Sequence, residues 1–124
     1  MAMIQRFEDI QGWQEARILV KMIYSLTNKD SFSKDFGMRD QIRRASVSVM
    51  ANIAEGFDCE SKVEFARFLG IARRSAVEVQ SILYAALDVE YINKDEFYRH
   101  YEQARKAKAL VGGFKRSLTN RSSK

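Results

Sequence analysis

The sequence predicts an all-α fold, an antiparallel up-down-up-down four-helix bundle, and three observations predict it. Proline is absent and glycine occurs 6 times in 124 residues, so little interrupts regular backbone hydrogen bonding. Apolar residues recur at helical spacing in four separate stretches. Short polar connections with cap signals divide those stretches, and short loops force consecutive helices to lie antiparallel.

The first helix is expected over residues 10–28. Asp9 is placed to cap it, and Trp13, Ala16, Val20, Ile23 and Tyr24 recur at helical spacing, with Leu19 and Leu26 widening the face. Residues 28–37 combine turn-forming polar residues with two aromatics, which reads as an ordered loop whose Phe32 and Phe36 tuck under the bundle. The second helix covers residues 38–55 and stops at Gly56, a residue suited to the left-handed conformation that often ends a helix. Its apolar side is wide. At about 100° per residue Ile42, Ala45, Ser46, Val49 and Ile53 share one side, and Val47, Met50 and Ala54 extend it beyond what one partner helix covers. On a lone protomer those three would form an exposed patch, so Val47, Met50 and Ala54 are the expected contact with another subunit.

Ser61 and Glu64 have capping-box spacing and open a third helix over residues 62–89. Phe65, Phe68, Leu69, Ala72, Ala76, Val79, Ile82, Leu83, Ala86 and Leu87 form its core face, opposite a water-facing strip of Arg67, Arg74, Glu78 and Ser81 in which Arg74 and Glu78 are spaced to pair. Asn93 and Glu96 repeat the box, and Phe97, Tyr101, Ala104, Ala107, Val111, Phe114 and Leu118 give a fourth helix over residues 94–118. Gly112 and Gly113 lower its propensity, so either a neighbouring helix approaches closely there or the last turns are loose; the polar tail 119–124 is expected to fray.

A chain of 124 residues supports one core, so residues 1–124 are read as a single domain. With 46% hydrophobic and 30% charged residues, and no apolar run near the length a bilayer demands, membrane insertion is not expected. The first nine residues lack a basic segment followed by an apolar one, and the single Cys59 cannot make an internal disulfide, so a cytoplasmic location is expected.

Little catalytic chemistry is visible. A carboxylate-bridged metal centre in a bundle needs histidines on two helices, and this chain has His100 alone. Glu96 and His100 are four apart, but no second histidine or cysteine completes a site, and the serines lack any other candidate base. No glycine-rich phosphate loop follows a strand. The sequence is therefore read as non-enzymatic, with no cofactor or metal.

Charge is the remaining signal. From Arg105 onward the chain carries 7 of its 21 bases and no acid, so 14 bases face all 16 acids before that point. Arg105, Lys108, Lys115 and Arg116 form a stripe beside the core face of the fourth helix, Arg43 and Arg44 stand near the start of the second, and Arg73 and Arg74 lie on the third. Pooled across subunits, these residues could hold a phosphate backbone of RNA or DNA without reading bases. Taken singly, Lys and Arg stems often just cover bundle edges, and a protein-interaction scaffold that binds no nucleic acid is the alternative. Asn52, beside the core face of the second helix, is expected to fix packing through hydrogen bonds.

The runs Trp13-Gln-Glu-Ala, Asp40-Gln-Ile-Arg-Arg-Ala-Ser-Val-Ser-Val, Ala51-Asn-Ile-Ala-Glu-Gly-Phe57, Glu64-Phe-Ala-Arg-Phe-Leu-Gly-Ile-Ala72 and Tyr91-Ile resemble the small bacterial four-helix-bundle family first noticed as reading frames inside intervening sequences of large-subunit ribosomal RNA genes. The resemblance covers residues 7–118, and the run from Ile42 to Gly56 is its specific part. It implies a ring-shaped homopentamer and a distant similarity to accessory proteins of diversity-generating retroelements, which bind nucleic acid and a reverse transcriptase. Members of that family have no established biochemical activity. Met50 stands where the family usually has proline, which should leave the second helix straighter. Arg74 precedes Ser75 at a place where glycine is usual, which adds a positive charge.

Overall fold

A computed structural model describes the backbone of residues 4–122 and the side chains of residues 4–119. A 3-10 turn, Phe7–Asp9, leads into α1 (Gln11–Thr27), α2 (Asp30–Lys34), α3 (Phe36–Phe57), α4 (Lys62–Asp88) and α5 (Lys94–Ser122). Among the described residues there is no strand.

Capping chemistry explains most of the boundaries. The Asp35 carboxylate accepts the Met38 N–H at 3.0 Å, so α3 begins two residues before the apolar pattern does. Ser61 Oγ accepts the Glu64 N–H at 3.0 Å. Asn93 and Glu96 complete a reciprocal box: Asn93 Oδ1 accepts the Glu96 N–H at 2.8 Å, and Glu96 Oε1 accepts the Asn93 N–H at 2.9 Å. Asp9 does not cap α1, because it belongs to the 3-10 turn and Ile10 occupies the cap position without a side-chain hydrogen bond.

Several expectations are corrected. Residues 28–37 hold the short helix α2 rather than a loop, and only one of the two aromatics tucks in: Phe32 is 1% exposed against Tyr91, whereas Phe36 is 64% exposed under the Arg39 guanidinium. Tyr24 lies outside the core and meets Arg43 instead. Gly56 does not end α3 in a left-handed turn. It stays helical and buried, and a Cβ there would lie 2.7 Å from Phe68 Cβ, so glycine is used for the close approach of α3 and α4. The left-handed position occurs after α4, where Glu90 has φ of 64°. There the Tyr91 N–H donates to Ala86 O at 2.9 Å and the Glu90 N–H donates to Leu87 O at 3.0 Å, the paired bonds of a Schellman ending. Gly112 and Gly113 do not stop α5, which runs past 118 to Ser122, and α3 is unbroken through Met50. Glu78 takes the side-chain amide of Gln41 at 3.3 Å rather than Arg74.

Two apolar clusters fill the interior. One gathers Leu19, Ile23, Phe32, Ile42, Leu83 and Phe97, and the other gathers Ile10, Trp13, Val49, Ile53, Leu69 and Val111. The helix α1 packs on α3 and α5, and α4 packs on the same two. Ascending residues on one helix meet descending residues on the next. Gln41 meets Glu78 and Ser48 meets Ser75 across α3 and α4, Gly70 meets Lys115 and Arg73 meets Gly112 across α4 and α5, and Gly12 meets Val111 and Glu15 meets Gln103 across α1 and α5.

Candidate nucleic-acid interface

The basic residues singled out by the sequence separate into two groups once their partners are known. Arg43 is committed to the fold: its Nε donates to Thr27 Oγ1 at 2.8 Å and its guanidinium lies 4.5 Å over the Tyr24 ring, which ties α3 to α1. Arg105 is paired with Glu102 at 2.6 Å on the exposed side of α5. Arg44, Arg73, Arg74 and Arg116 are exposed and Lys108 and Lys115 are half-buried. Among the described residues none of these six has an ion-pair partner.

Three of the unpaired cations converge. Arg73 from α4 and Lys115 and Arg116 from α5 line a shallow cleft of about 310 Å³ together with Gly112 and Thr119. Glycine makes the convergence possible. A Cβ on Gly112 would come within 3.5 Å of Arg116 Nη1 and 3.9 Å of Arg73 Cδ, and a Cβ on Gly70 would lie 3.3 Å from Lys115 Nζ. The guanidinium and ammonium groups can therefore lie low over the helix backbones instead of extending away from them. Thr119 Oγ1 turns inward to Lys115 O and Arg116 O, at 3.3 and 3.1 Å. Among the described residues no carboxylate lines the cleft, and the last acidic side chain in the sequence is Glu102. Spacing on α5 shows Lys115 and Arg116 as part of a stripe. That Arg73 joins them depends on the register of α4 against α5, whereas Arg105 is taken by Glu102 three residues earlier on α5 itself. Lys106 of the acid-free block is paired with Glu15 at 3.4 Å, and Arg121 and Lys124 fall outside the described side chains.

The expected subunit face is narrow. Val47 is 38% exposed, while Met50 and Ala54 are half-buried against the cluster around Ile53 and Trp13. The 3-10 turn packs on α3 as well as α1, so the protomer's own N-terminal segment covers part of the second apolar side. On α1 the exposed large apolar side chains are Ile18 and Tyr24, at 46% and 42%.

His100 is buried, at 5% exposure. Its Nδ1 lies 2.6 Å from Glu96 O, and since a carbonyl only accepts, a hydrogen bond there has Nδ1–H as its donor. Burial holds its pKa below the ordinary histidine value, against the opposing pull of the Glu96 and Met22 backbone. Asn52 Nδ2 donates to Ser48 O and Oγ at 2.8 and 2.9 Å, and Ser48 Oγ bonds Ser75 Oγ at 2.8 Å, a polar ladder that joins α3 to α4. Among the described residues no three His, Cys, Asp or Glu side chains gather as a metal site would require, and no helix is long and apolar enough to cross a membrane.

A crystal structure of a protein with unknown function from the S23 ribosomal protein family of Bacteroides thetaiotaomicron resembles this fold with a TM-score of 0.77 at 23% sequence identity, covering 85% of this chain and 95% of that one. A comparison with curated proteins finds no match. The family described as 23S rRNA-intervening sequence protein matches residues 8–113, most of the length and all of the run from Ile42 to Gly56 on which the resemblance rests. The chain therefore belongs to the 23S rRNA-intervening sequence protein family.

Proposed function

We propose that the protein is a non-catalytic, homo-oligomeric, cytoplasmic helical bundle that binds RNA or DNA through phosphate contacts and with little regard to sequence. The observation that carries this is the cleft between α4 and α5, where Arg73, Lys115 and Arg116 converge with no acid beside them among the described residues. Cations held without counter-charges attract a polyanion and release its condensed ions on binding. The up-down-up-down topology belongs to this proposal, and the opposed registers of neighbouring helices support it. So does assembly into a ring, five-membered on the family resemblance, with Val47, Met50 and Ala54 at the contact; the exposure of Val47, Ile18 and Tyr24 supports it.

The test is a salt titration of labelled RNA binding, followed by fluorescence anisotropy, for the wild type and the Arg73→Ala/Lys115→Ala/Arg116→Ala variant. For the wild type, log K should fall linearly with log salt. The variant should bind more weakly and its slope should flatten by about two to three per cleft, at roughly 0.7 to 0.9 for each phosphate no longer neutralised. Absence of binding by the wild type at low salt, or an unchanged slope in the variant, overturns the proposal. A scaffold for another protein is the second reading, favoured by the apolar exposure on α1 and α3; a partner retained after nuclease treatment, with no RNA binding, would establish it instead.

A further inference from the structure

The seam between α4 and α5 does not end at the basic cleft. Tyr84 lies eleven residues after Arg73 on α4, three helical turns along and within about 20° of the same azimuth. On α5, Tyr98 and Tyr101 precede Arg105, Gly112 and Arg116 on one face. These rings form a shelf. Tyr84 packs 4.7 Å from Phe97 and 5.8 Å from Tyr101, Tyr98 meets the Phe97 ring edge-on at 5.8 Å, and Phe97 stacks on Tyr101 at 5.3 Å. Phe97 is buried beneath, while Tyr84 and Tyr98 stay 51% and 64% exposed. Two open aromatic rings fixed by their neighbours cost little ordering entropy when they meet a flat partner.

Charge along the seam is uneven. At the cleft end the cations have no ion-pair partner among the described residues. Toward the shelf, Arg99 and Arg105 are held by Asp95 and Glu102, at 3.1 and 2.6 Å, and Asp88 stands exposed four residues beyond Tyr84. One end therefore suits a phosphate and the other suits the uncharged face of a base. A duplex does not match this pattern, because its bases are stacked inward and both strands present phosphate. A single strand does, since any unpaired base offers a π-face and the backbone runs on to the cations.

We propose that the α4–α5 seam is a binding track for single-stranded nucleic acid, with a base stacked on Tyr84 and Tyr98 and the backbone held by Arg73, Lys115 and Arg116. The track rests on the proposed nucleic-acid binding and names its strand class. The axial distance from Arg73 to Tyr84 is about 16 Å. At a rise of about 3.4 Å per nucleotide in a stacked strand, and more when extended, it accommodates roughly three to five nucleotides.

The experiment measures anisotropy of one labelled mixed-sequence RNA of about 20 nucleotides, alone and annealed to its complement, against the 124-residue chain at matched salt concentrations across a titration. The single strand should bind more tightly than the duplex. Tyr84→Ala/Tyr98→Ala should weaken the single strand roughly tenfold or more, leave the salt slope unchanged and leave the duplex unchanged. Tyr84→Phe should bind like the wild type, because the ring remains. Circular dichroism and light-scattering mass accompany each variant. Duplex binding equal to or tighter than single-strand binding overturns the track, as does unchanged single-strand affinity in the double tyrosine variant. In either case loss of affinity in the Arg73→Ala/Lys115→Ala/Arg116→Ala variant leaves the broader function standing. A change of mass in the tyrosine variant with unchanged RNA affinity assigns the shelf to a second copy of the chain and overturns the track as well.

Discussion

Replacing Gly56 with alanine sets two effects of known size against each other. Helix propensity alone favours the change, by up to about 1 kcal/mol in a helix interior and less near an end such as this. Packing opposes it. The new Cβ would sit 2.7 Å from Phe68 Cβ and 2.9 Å from Phe65 Cδ1. Phe65 can turn only at the expense of its packing on Phe57 and Phe114, at centroid distances of 6.0 and 5.4 Å. Phe68 Cβ cannot turn away, because it is bonded to the α4 backbone. The helices must separate, and overpacking of this kind costs about 1 to 3 kcal/mol. The expected balance is a loss of about 1 to 2 kcal/mol, or a fall in Tm of roughly 3 to 10 °C for a chain of this size. Urea unfolding followed by circular dichroism at one fixed protein concentration should show a lower midpoint with an unchanged slope. Gly113→Ala is the control, since its Cβ would meet only Arg116 Nη2 at 3.8 Å, and it should gain up to about 1 kcal/mol. Gly56→Ala as stable as the wild type would refute the claim that this glycine exists for helix contact.

Glu90→Gly should raise the urea midpoint, by about 0.5 to 1 kcal/mol, because Glu90 holds a left-handed φ of 64° that glycine adopts without a Cβ penalty; a lower midpoint would contradict it. Asp35 is held below the ordinary carboxylate pKa first by the Met38 N–H and then by the Tyr91 hydroxyl. A depressed folded-state pKa gives stability that is present above the usual carboxylate value of 3.8 and lost as pH falls below it. Asp35→Asn should therefore show a shallower decline of Tm below about pH 4 than the wild type, and parallel acid limbs would exclude the effect. Val47→Asp places a charge on the most exposed of the three residues expected at the subunit contact. Light scattering should report a smaller particle than the wild type, and an unchanged mass above that of one 14.3 kDa chain would move the contact elsewhere.

The helices were legible because each long one carries its own periodic apolar face, and the Ser61 and Asn93 caps mark starts that tertiary contacts do not override, although Glu64 turns to Arg67 and only Glu96 closes its box. What could not be read from spacing was the use made of individual residues. Gly56 carries the usual signal of a helix end, yet it serves a neighbouring helix, and the left-handed ending falls to a glutamate that no propensity scale would choose. Phe32 and Phe36 are equivalent in sequence, but α2 turns one under the bundle beside Tyr91 and leaves the other in solvent. The basic residues follow the same pattern. Arg43 looks as available as Arg44 until Thr27 and Tyr24 are seen beneath it, and Arg73 joins Lys115 only because glycines at 70 and 112 let α4 and α5 carry their cations inward. A stripe on one helix is visible in a linear sequence. A cleft shared by two helices depends on register and is not.

A single cleft with three cations is a weak site, since each phosphate contact at physiological salt contributes modestly and a solvated cation gives up hydration to make it. Its value to the protein depends on repetition. If protomers assemble as proposed, several clefts face one polyanion, and a strand held at one is presented to the next at high effective concentration. Affinity then rises steeply with strand length while staying indifferent to sequence, because nothing in the seam reads a base edge. Short strands cannot span two clefts and gain nothing from assembly. The length dependence of binding therefore separates a ring of modest clefts from one strong site. The same dependence should vanish in any variant that dissociates the assembly while its cleft remains intact.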